Sequence, residues 1–335
     1  MLSAPGPAAD GAAVPRVLLI GLGPTSLSAL RGLTTDTDVV AMLRTTEDET
    51  TRTARELGVP VVLEASLGAI RAAVTQARPD CVVVSSYDRI LPADLIDACP
   101  FVNVHYAPLP RLRGRATVNW AILRGEDHAT MTIHHLVAGL DAGGVLKQAS
   151  TPVGPRANVT EVYDALNRLQ QHLLAEAVRA AVAGDPGIPQ DEASATYACT
   201  RVPADGEIDW ARSTVEVDRL IRALTDPFPG AFTWIGLEQL IIDRADPVAR
   251  PAVWDGRIPG RVVAADRATG AVDVLTGDGV LRLLVVHRPG GPPVAAATVL
   301  PSVKLTLGLR MSDVVARLQL LEGRLGTAPD DAVQT

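Results

Sequence analysis

Between residues 16 and 107, short β-branched apolar runs at 17–20, 39–43, 59–63, 81–84 and 101–104 alternate with stretches carrying Ala, Leu and Arg at helical spacing, at 25–33, 47–57 and 65–77. That alternation predicts a parallel sheet with helices on its faces, an open α/β domain. Ligands of such sheets bind beyond the carboxyl ends of the strands. The polar residues closing the fourth and fifth runs, 85–91 and 103–105, are therefore the first candidates for chemistry. A helix is predicted at 115–123, followed by two alternating strands at 131–136 and 145–153 across the Gly-rich turn 138–144, and then a long helix at 159–182.

Pro186 and Pro189 break the pattern at 184–190. Beyond a helix at 214–224 come short runs at 231–235, 240–243, 261–265, 272–275 and 281–286, separated by Gly, Pro and Asp turns, a spacing that predicts a small β-barrel. The expected organisation is a disordered tail at 1–15, a catalytic α/β domain at 16–184, a linker at 185–209, a barrel domain at 210–323 and a frayed tail at 324–335. The Ala/Gly/Pro-rich start lacks the cationic and apolar regions of a secretory signal.

Composition narrows the class. The 335 residues are 47% hydrophobic and 21% charged, yet no apolar run approaches the about 20 residues of a membrane span. Cys81, Cys99 and Cys199 are too few and too scattered for a disulfide framework or a zinc cluster, which fits a reducing cytoplasm. The 31 basic and 38 acidic residues, a net charge of −7, include no long basic block. A stable nucleic-acid partner is not expected, although transient RNA contact stays open.

After the first strand, Gly21-Leu22-Gly23-Pro24-Thr25-Ser26 half matches a dinucleotide fingerprint. Ser26 stands where the third glycine belongs, Pro24 lies inside the turn and no acid ends the second strand, so an ordinary strand-to-helix turn is the better reading. The pair Asn103-Val104-His105 is more telling, because residues two apart on a strand share a face and both side chains point into one cavity. His134 and His135 alternate sides of their strand, so at most one faces that cavity. Neither has metal-ligand spacing with a partner, and no metal is expected.

Several motifs in order resemble the 10-formyltetrahydrofolate-dependent formyltransferases over roughly residues 15 to 310. They are Asn103-Val104-His105, Leu109-Pro110-Arg111-Leu112-Arg113-Gly114, Asn119-Trp120-Ala121-Ile122, Thr132-Ile133-His134 and Leu140-Asp141-Ala142-Gly143, then Asp226-Pro227-Phe228-Pro229-Gly230. The resemblance implies a Rossmann-like parallel-sheet formyltransferase domain followed by a small OB-like β-barrel, in an enzyme moving a formyl group from 10-formyltetrahydrofolate to an amine. It implies Asn103, His105 and Asp141 as the catalytic positions. Such a transfer builds up an oxyanion that needs a placed donor, and the amine must lose a proton. Asn103 supplies a neutral donor, His105 donates and, as imidazolium, matches the charge, and Asp141 stabilises that cation and relays the proton.

Ser86, Tyr87, Asp88, Arg89, Ile90, Leu91 and Pro92 resemble the family's pterin loop, and Leu140 is assigned to the same ligand. Arg111 and Arg113 carry forks that suit a folate glutamate or a substrate phosphate, or else form a solvated loop face. Gly114 and Trp120 complete the candidate substrate positions.

The family divides by acceptor. Its tRNA-acting members resemble one another in a basic, Gly-rich insertion after the second strand, where this chain has the short acidic Arg44-Thr-Thr-Glu-Asp-Glu-Thr50. The run Arg113-Gly-Arg-Ala-Thr-Val-Asn-Trp120 looks closer to enzymes formylating a nucleotide-linked amino sugar. The expected acceptor is a small-molecule amine, an amino sugar ahead of an amino acid or natural-product amine. The alternatives are a methionyl-tRNA formyltransferase and, in another class, a non-catalytic folate-binding protein.

Overall fold

The computed structural model describes residues 13–23 and 25–325. Most of both expected tails, and Pro24, lie outside the described residues. The chain forms two compact units. The first comprises residues up to Val118, Asp127–Val153 and Glu161–Thr200, and the second Asn119–Glu126, Gly154–Thr160 and the chain from Arg201 onward.

In the first unit the elements run β1 (Arg16–Gly21), α1 (Ser26–Leu33), β2 (Asp38–Leu43), α2 (Glu49–Glu56), β3 (Val61–Val62), α3 (Leu67–Ala77), β4 (Cys81–Ser85), α4 (Ala93–Ile96) and β5 (Phe101–His105). They continue with β6 (Arg113–Gly114), α5 (Thr117–Arg124), β7 (His128–His135), β8 (Val145–Pro152), α6 (Val159–Val182) and β9 (Tyr197–Ala198); α5 and α6 each include residues of the second unit. A seven-stranded sheet has the order β3-β2-β1-β4-β5-β7-β8, parallel through β5 and antiparallel beyond it. This is the expected Rossmann-like arrangement, with helices covering a sheet whose central strands are apolar on both faces: Val17 to Ile20 and Val82 to Val83 are all 0% exposed. Helix starts follow their caps. Asp48 accepts the N–H groups of Thr50 and Thr51 and sets the start of α2, and Ser66 accepts that of Ala69 and sets the start of α3.

The expected linker does not link along its whole length. Residues 185–200 fold onto the first unit: Val145 and Ile188 exchange N–H···O bonds of 2.8 and 2.9 Å, and β9 pairs with β6. Backbones meet here without side chains between them. A Cβ on Gly187, whose φ is +70°, would lie 2.7 Å from the carbonyl carbon of Gly144. The α/β part is not contiguous either, because ion pairs and hydrogen bonds draw 119–126 and 154–160 into the second unit. Arg156 donates to Asp218 and Asp246, Arg222 to the Ala157 carbonyl, and Asn119 Nδ2 to the Ala223 carbonyl at 2.7 Å.

The second unit contains α7 (Thr214–Ala223), β10 (Ala231–Ile235), β11 (Glu238–Pro247), β12 (Val262–Ala265), β13 (Val272–Leu275), β14 (Val280–His287), β15 (Val294–Ala295), α8 (Ala296–Val299) and α9 (Met311–Leu325). Its sheet is antiparallel in the order β10-β11-β14-β13-β12, with β15 beside β14. Residues 305–308 bridge the two edges. Val262 donates to the Leu305 carbonyl and Leu307 to that of Gly260, while Gly308 donates to that of Trp234 at 2.9 Å. The small barrel expected from the spacing is thus closed by an irregular segment rather than by a further strand, and this segment covers part of the free edges of β10 and β12. Val217 and Ile221 of α7 pack into its core with Leu240, Ile242, Val272, Leu281 and Leu283. Helix α9 had no counterpart in the sequence reading.

Candidate active site

The site grows from the carboxyl end of β5. Strand β7 lies antiparallel beside it, with Asn103 opposite His134 and His105 opposite Thr132. Directly opposed residues share a face, so the register places Asn103, His105 and His134 together. Of the two adjacent histidines on β7, His134 is the one that turns inward. His135 instead hydrogen-bonds through Nε2 to the Asp185 carbonyl.

Two loops supply the rest. The loop after β5 is pinned where Thr117 Oγ1 donates to the Tyr106 carbonyl and Thr132 Oγ1 to that of Ala107, each at 2.7 Å. Its Leu112 carbonyl accepts from His105 Nε2 at 2.9 Å. A carbonyl only accepts, so Nε2 carries the proton and Nδ1 is the free nitrogen of the neutral ring. That nitrogen faces Asp141, with Oδ2 3.7 Å away. Asp141, from the turn between β7 and β8, takes a left-handed backbone, φ +48°. Its Oδ2 accepts the Gly114 N–H at 2.8 Å, and its Oδ1 lies 3.4 Å from Asn103 Nδ2 and 3.6 Å from His134 Nε2. Asn103 and His105, expected together on one strand, and Asp141, expected on a separate segment, thus meet around one carboxylate.

His134 completes the cluster. Its Nδ1 donates to the His135 carbonyl at 2.8 Å, which leaves Nε2 to accept from Asn103 Nδ2 at 3.2 Å. These two acceptors fix which way the Asn103 amide points. Burial, outweighing the attraction of Asp141, pushes His134 down to about 4, so it stays neutral at physiological pH. An unfolded histidine titrates near ~6.5, so the unfolded chain binds the extra proton first. Stability from this group is complete above about 6.5, declines as pH falls towards 4 and is flat below, a loss of at most about 3 kcal/mol. The thermal midpoint of the wild type, followed by circular dichroism, is expected to fall across that window more steeply than that of His134→Gln. Superimposable pH profiles would refute the assignment.

The other candidates distribute unevenly. Arg113 gives its fork to a carboxylate of the chain itself. Its side chain is 2% exposed and pairs with Glu192 at 2.6 and 2.9 Å, and its Nη2 donates to Gln190 Oε1 at 2.8 Å, so the guanidinium is used inside the fold. Arg111 is exposed. Trp120 belongs to the second unit, where the Arg201 guanidinium sits 5.3 Å from its ring centroid. In the 86–92 loop, Ser86 takes φ +61° and its carbonyl accepts the Leu22 N–H, while Tyr87 Oη donates to the Ala65 carbonyl at 3.0 Å. Asp88 and Arg89 are exposed, Leu91 is buried and Pro92 half-buried. Ile90 and Leu140 are 83% and 53% exposed. Sequence reasoning missed Gln190, whose side chain reaches the Asp141 turn; a glutamine between a proline and an aspartate carries no signal of its own. Among the described residues no cluster of His, Cys, Asp or Glu could hold a metal ion, and no helix is long and apolar enough to cross a membrane.

The chain matches the formyl transferase family over residues 41–178 and that family's C-terminal domain over 202–303. It is 36% identical over 234 residues to the methionyl-tRNA formyltransferase of Gluconacetobacter diazotrophicus, an alignment covering 69% of this chain and 73% of that one. The chain belongs to the formyl transferase family. A second relative of this formyltransferase, the methionyl-tRNA formyltransferase of Symbiobacterium thermophilum, is 38% identical over 70% of this chain and 71% of its own. Among solved structures, HypX from Aquifex aeolicus in complex with tetrahydrofolic acid superposes with a TM-score of 0.63 at 21% identity, covering 86% of this chain and 47% of that one. The sugar 3N-formyl transferase WlaRD gives 0.57 at 13% identity, over 81% and 97%. At these identities the likeness is one of fold.

Proposed function

We propose that this formyltransferase moves the formyl group of 10-formyltetrahydrofolate to the primary amine of a small molecule, with Asn103, His105 and Asp141 as its catalytic residues. The observation that carries the reading is the convergence of these three side chains from β5 and the β7–β8 turn on one carboxylate. The folate supplies the formyl group. Exposed Ile90 and Leu140 offer apolar surface that suits a flat heterocycle.

His105 holds its Nε2 proton on Leu112, so Nδ1 is where it takes the proton leaving the acceptor amine, with the Asp141 carboxylate alongside to stabilise the resulting cation. Asn103 already spends its amide on two acceptors. It reaches a substrate oxygen by giving up the longer contact, 3.4 Å to Asp141, while the 3.2 Å bond to His134 keeps the amide oriented.

The acceptor reading rests on the β2–α2 turn. Arg44 is 1% exposed and turned inward, its Nη2 on Asp48 Oδ2 at 2.6 Å and its Nε on the Thr46 carbonyl, while Glu47 pairs with Arg55. The turn is short, closed on itself and acidic, the wrong sign for a phosphate backbone. Identity of 36–38% to methionyl-tRNA formyltransferases favours the second reading, charged initiator tRNA. Mass spectrometry for a gain of one formyl group separates them, using nucleotide-linked amino sugars, amino acids, aminoglycoside-type amines and charged initiator tRNA. Product on a small amine is expected, and product on tRNA alone would reverse the choice.

A further inference from the structure

The first unit contains a hydrogen-bond bridge that none of the catalytic groups belongs to, and it ends on the turn that carries one of them. Gln190 Nε2 donates to the carbonyls of Asp141 and Gly143, at 2.7 and 2.8 Å. Its Oε1 accepts from Arg113 Nη2, and Arg113 is itself clamped by Glu192. A few residues on, Thr196 Oγ1 accepts the Leu112 N–H at 2.9 Å and the Thr196 carbonyl accepts the Arg113 N–H at 2.8 Å. Leu112 is the residue whose carbonyl orients His105. One segment, 188–196, therefore grips both loops of the site, each through groups adjacent to a catalytic side chain.

Asp141 needs such a grip. A non-glycine residue in the left-handed region is disfavoured unless its surroundings hold it there, and the carboxylate position depends on that backbone. From this we infer that Gln190, locked by Arg113, is a positioning residue that holds the Asp141 carboxylate against the His105 imidazole. The inference rests on the reading of Asp141 as catalytic. Arg113 also holds the Glu192 carboxyl below its usual range, so the clamp persists into mild acid.

The test splits kcat from the KM for 10-formyltetrahydrofolate in the whole chain, with the acceptor identified by mass spectrometry, and follows the NMR resonances of the His105 ring, assigned with His105→Asn. Gln190→Leu should lower kcat by about tenfold or more while that KM stays within about threefold, and should move the His105 resonances in the direction that Asp141→Asn moves them, as the carboxylate drifts from the imidazole. The double variant should turn over about as fast as Asp141→Asn alone, because Gln190 acts only through that group. Gln190→Asn, whose amide falls short of the turn, should behave like Gln190→Leu and serves if the leucine variant does not fold. Wild-type kcat and His105 resonances in both Gln190 variants, with Asp141→Asn impaired, overturn the inference and leave the catalytic reading standing. A wild-type kcat in Asp141→Asn overturns the reading itself.

Discussion

Replacing His105 by alanine or Asp141 by asparagine is expected to cut turnover by about a hundred- to ten-thousand-fold, the range that a positioned proton-transfer group contributes. At ~1.4 kcal/mol per tenfold this is about 3–6 kcal/mol of lost transition-state stabilisation. The two should not add. If the proton taken at His105 Nδ1 is stabilised only by the carboxylate beside it, removing either partner disables the same step, and the double variant should be little worse than the poorer single one. Asp141→Asn keeps a group of the same size on the Gly114 N–H, so it should fold as the wild type does. The KM for 10-formyltetrahydrofolate should change by less than about threefold, since neither side chain is assigned to binding. Release of tetrahydrofolate, measured with the acceptor found in the panel above, reports both. Near-normal rates in either variant would sink the mechanism.

Much of this site could be read in the chain before any fold was known, for physical reasons that differ residue by residue. Asn103 and His105 were legible because strand periodicity alone puts them on one face. Asp141 was not legible that way. Between two glycine-flanked turns an aspartate reads as a turn residue, and only the resemblance of the surrounding motifs gave it a role. His134 was half legible: alternation along β7 required that one of two histidines face inward, but choosing between them needed the antiparallel register that sets His134 opposite Asn103. Arg113 was misread because a guanidinium near a site suits an anion equally well whether the anion is a ligand or Glu192. The partner lies in a segment whose Gly and Pro content reads as a linker, and a long-range ion pair leaves no local trace. The fold was more accessible. Apolar runs located the longer strands of both units to within a few residues, but not the two-residue strands β6, β9 and β15, and the closure of the barrel by residues 305–308 depends on backbone hydrogen bonds that no side-chain pattern encodes.

Gly143→Ala is expected to damage the molecule as severely as loss of a catalytic side chain, by a different route. A Cβ at this position would stand 1.8 Å from the His135 carbonyl oxygen and 2.7 Å from its carbon, backbone atoms that cannot swing aside. Next to it, His135 donates its N–H to the Gly144 carbonyl at 2.9 Å, so the turn is stitched to the very strand it would have to leave. The Gly143 carbonyl also receives Gln190 Nε2, and Asp141 sits two residues upstream. Relieving the clash therefore moves the carboxylate, breaks that bond, or both. A loss of about 3 kcal/mol or more is expected, at or beyond the upper end for overpacking because backbone rather than a side chain must give. Folded protein that remains should show turnover reduced towards that of Asp141→Asn. Gly68→Ala provides the contrast. In α3 its nearest neighbour would be 3.9 Å away, so alanine fits and should stabilise the helix by up to about 1 kcal/mol with no effect on rate. Urea unfolding and steady-state turnover of the two variants side by side test the argument. A Gly143→Ala protein as stable and as active as Gly68→Ala would mean that the turn does not lie against β7 as described.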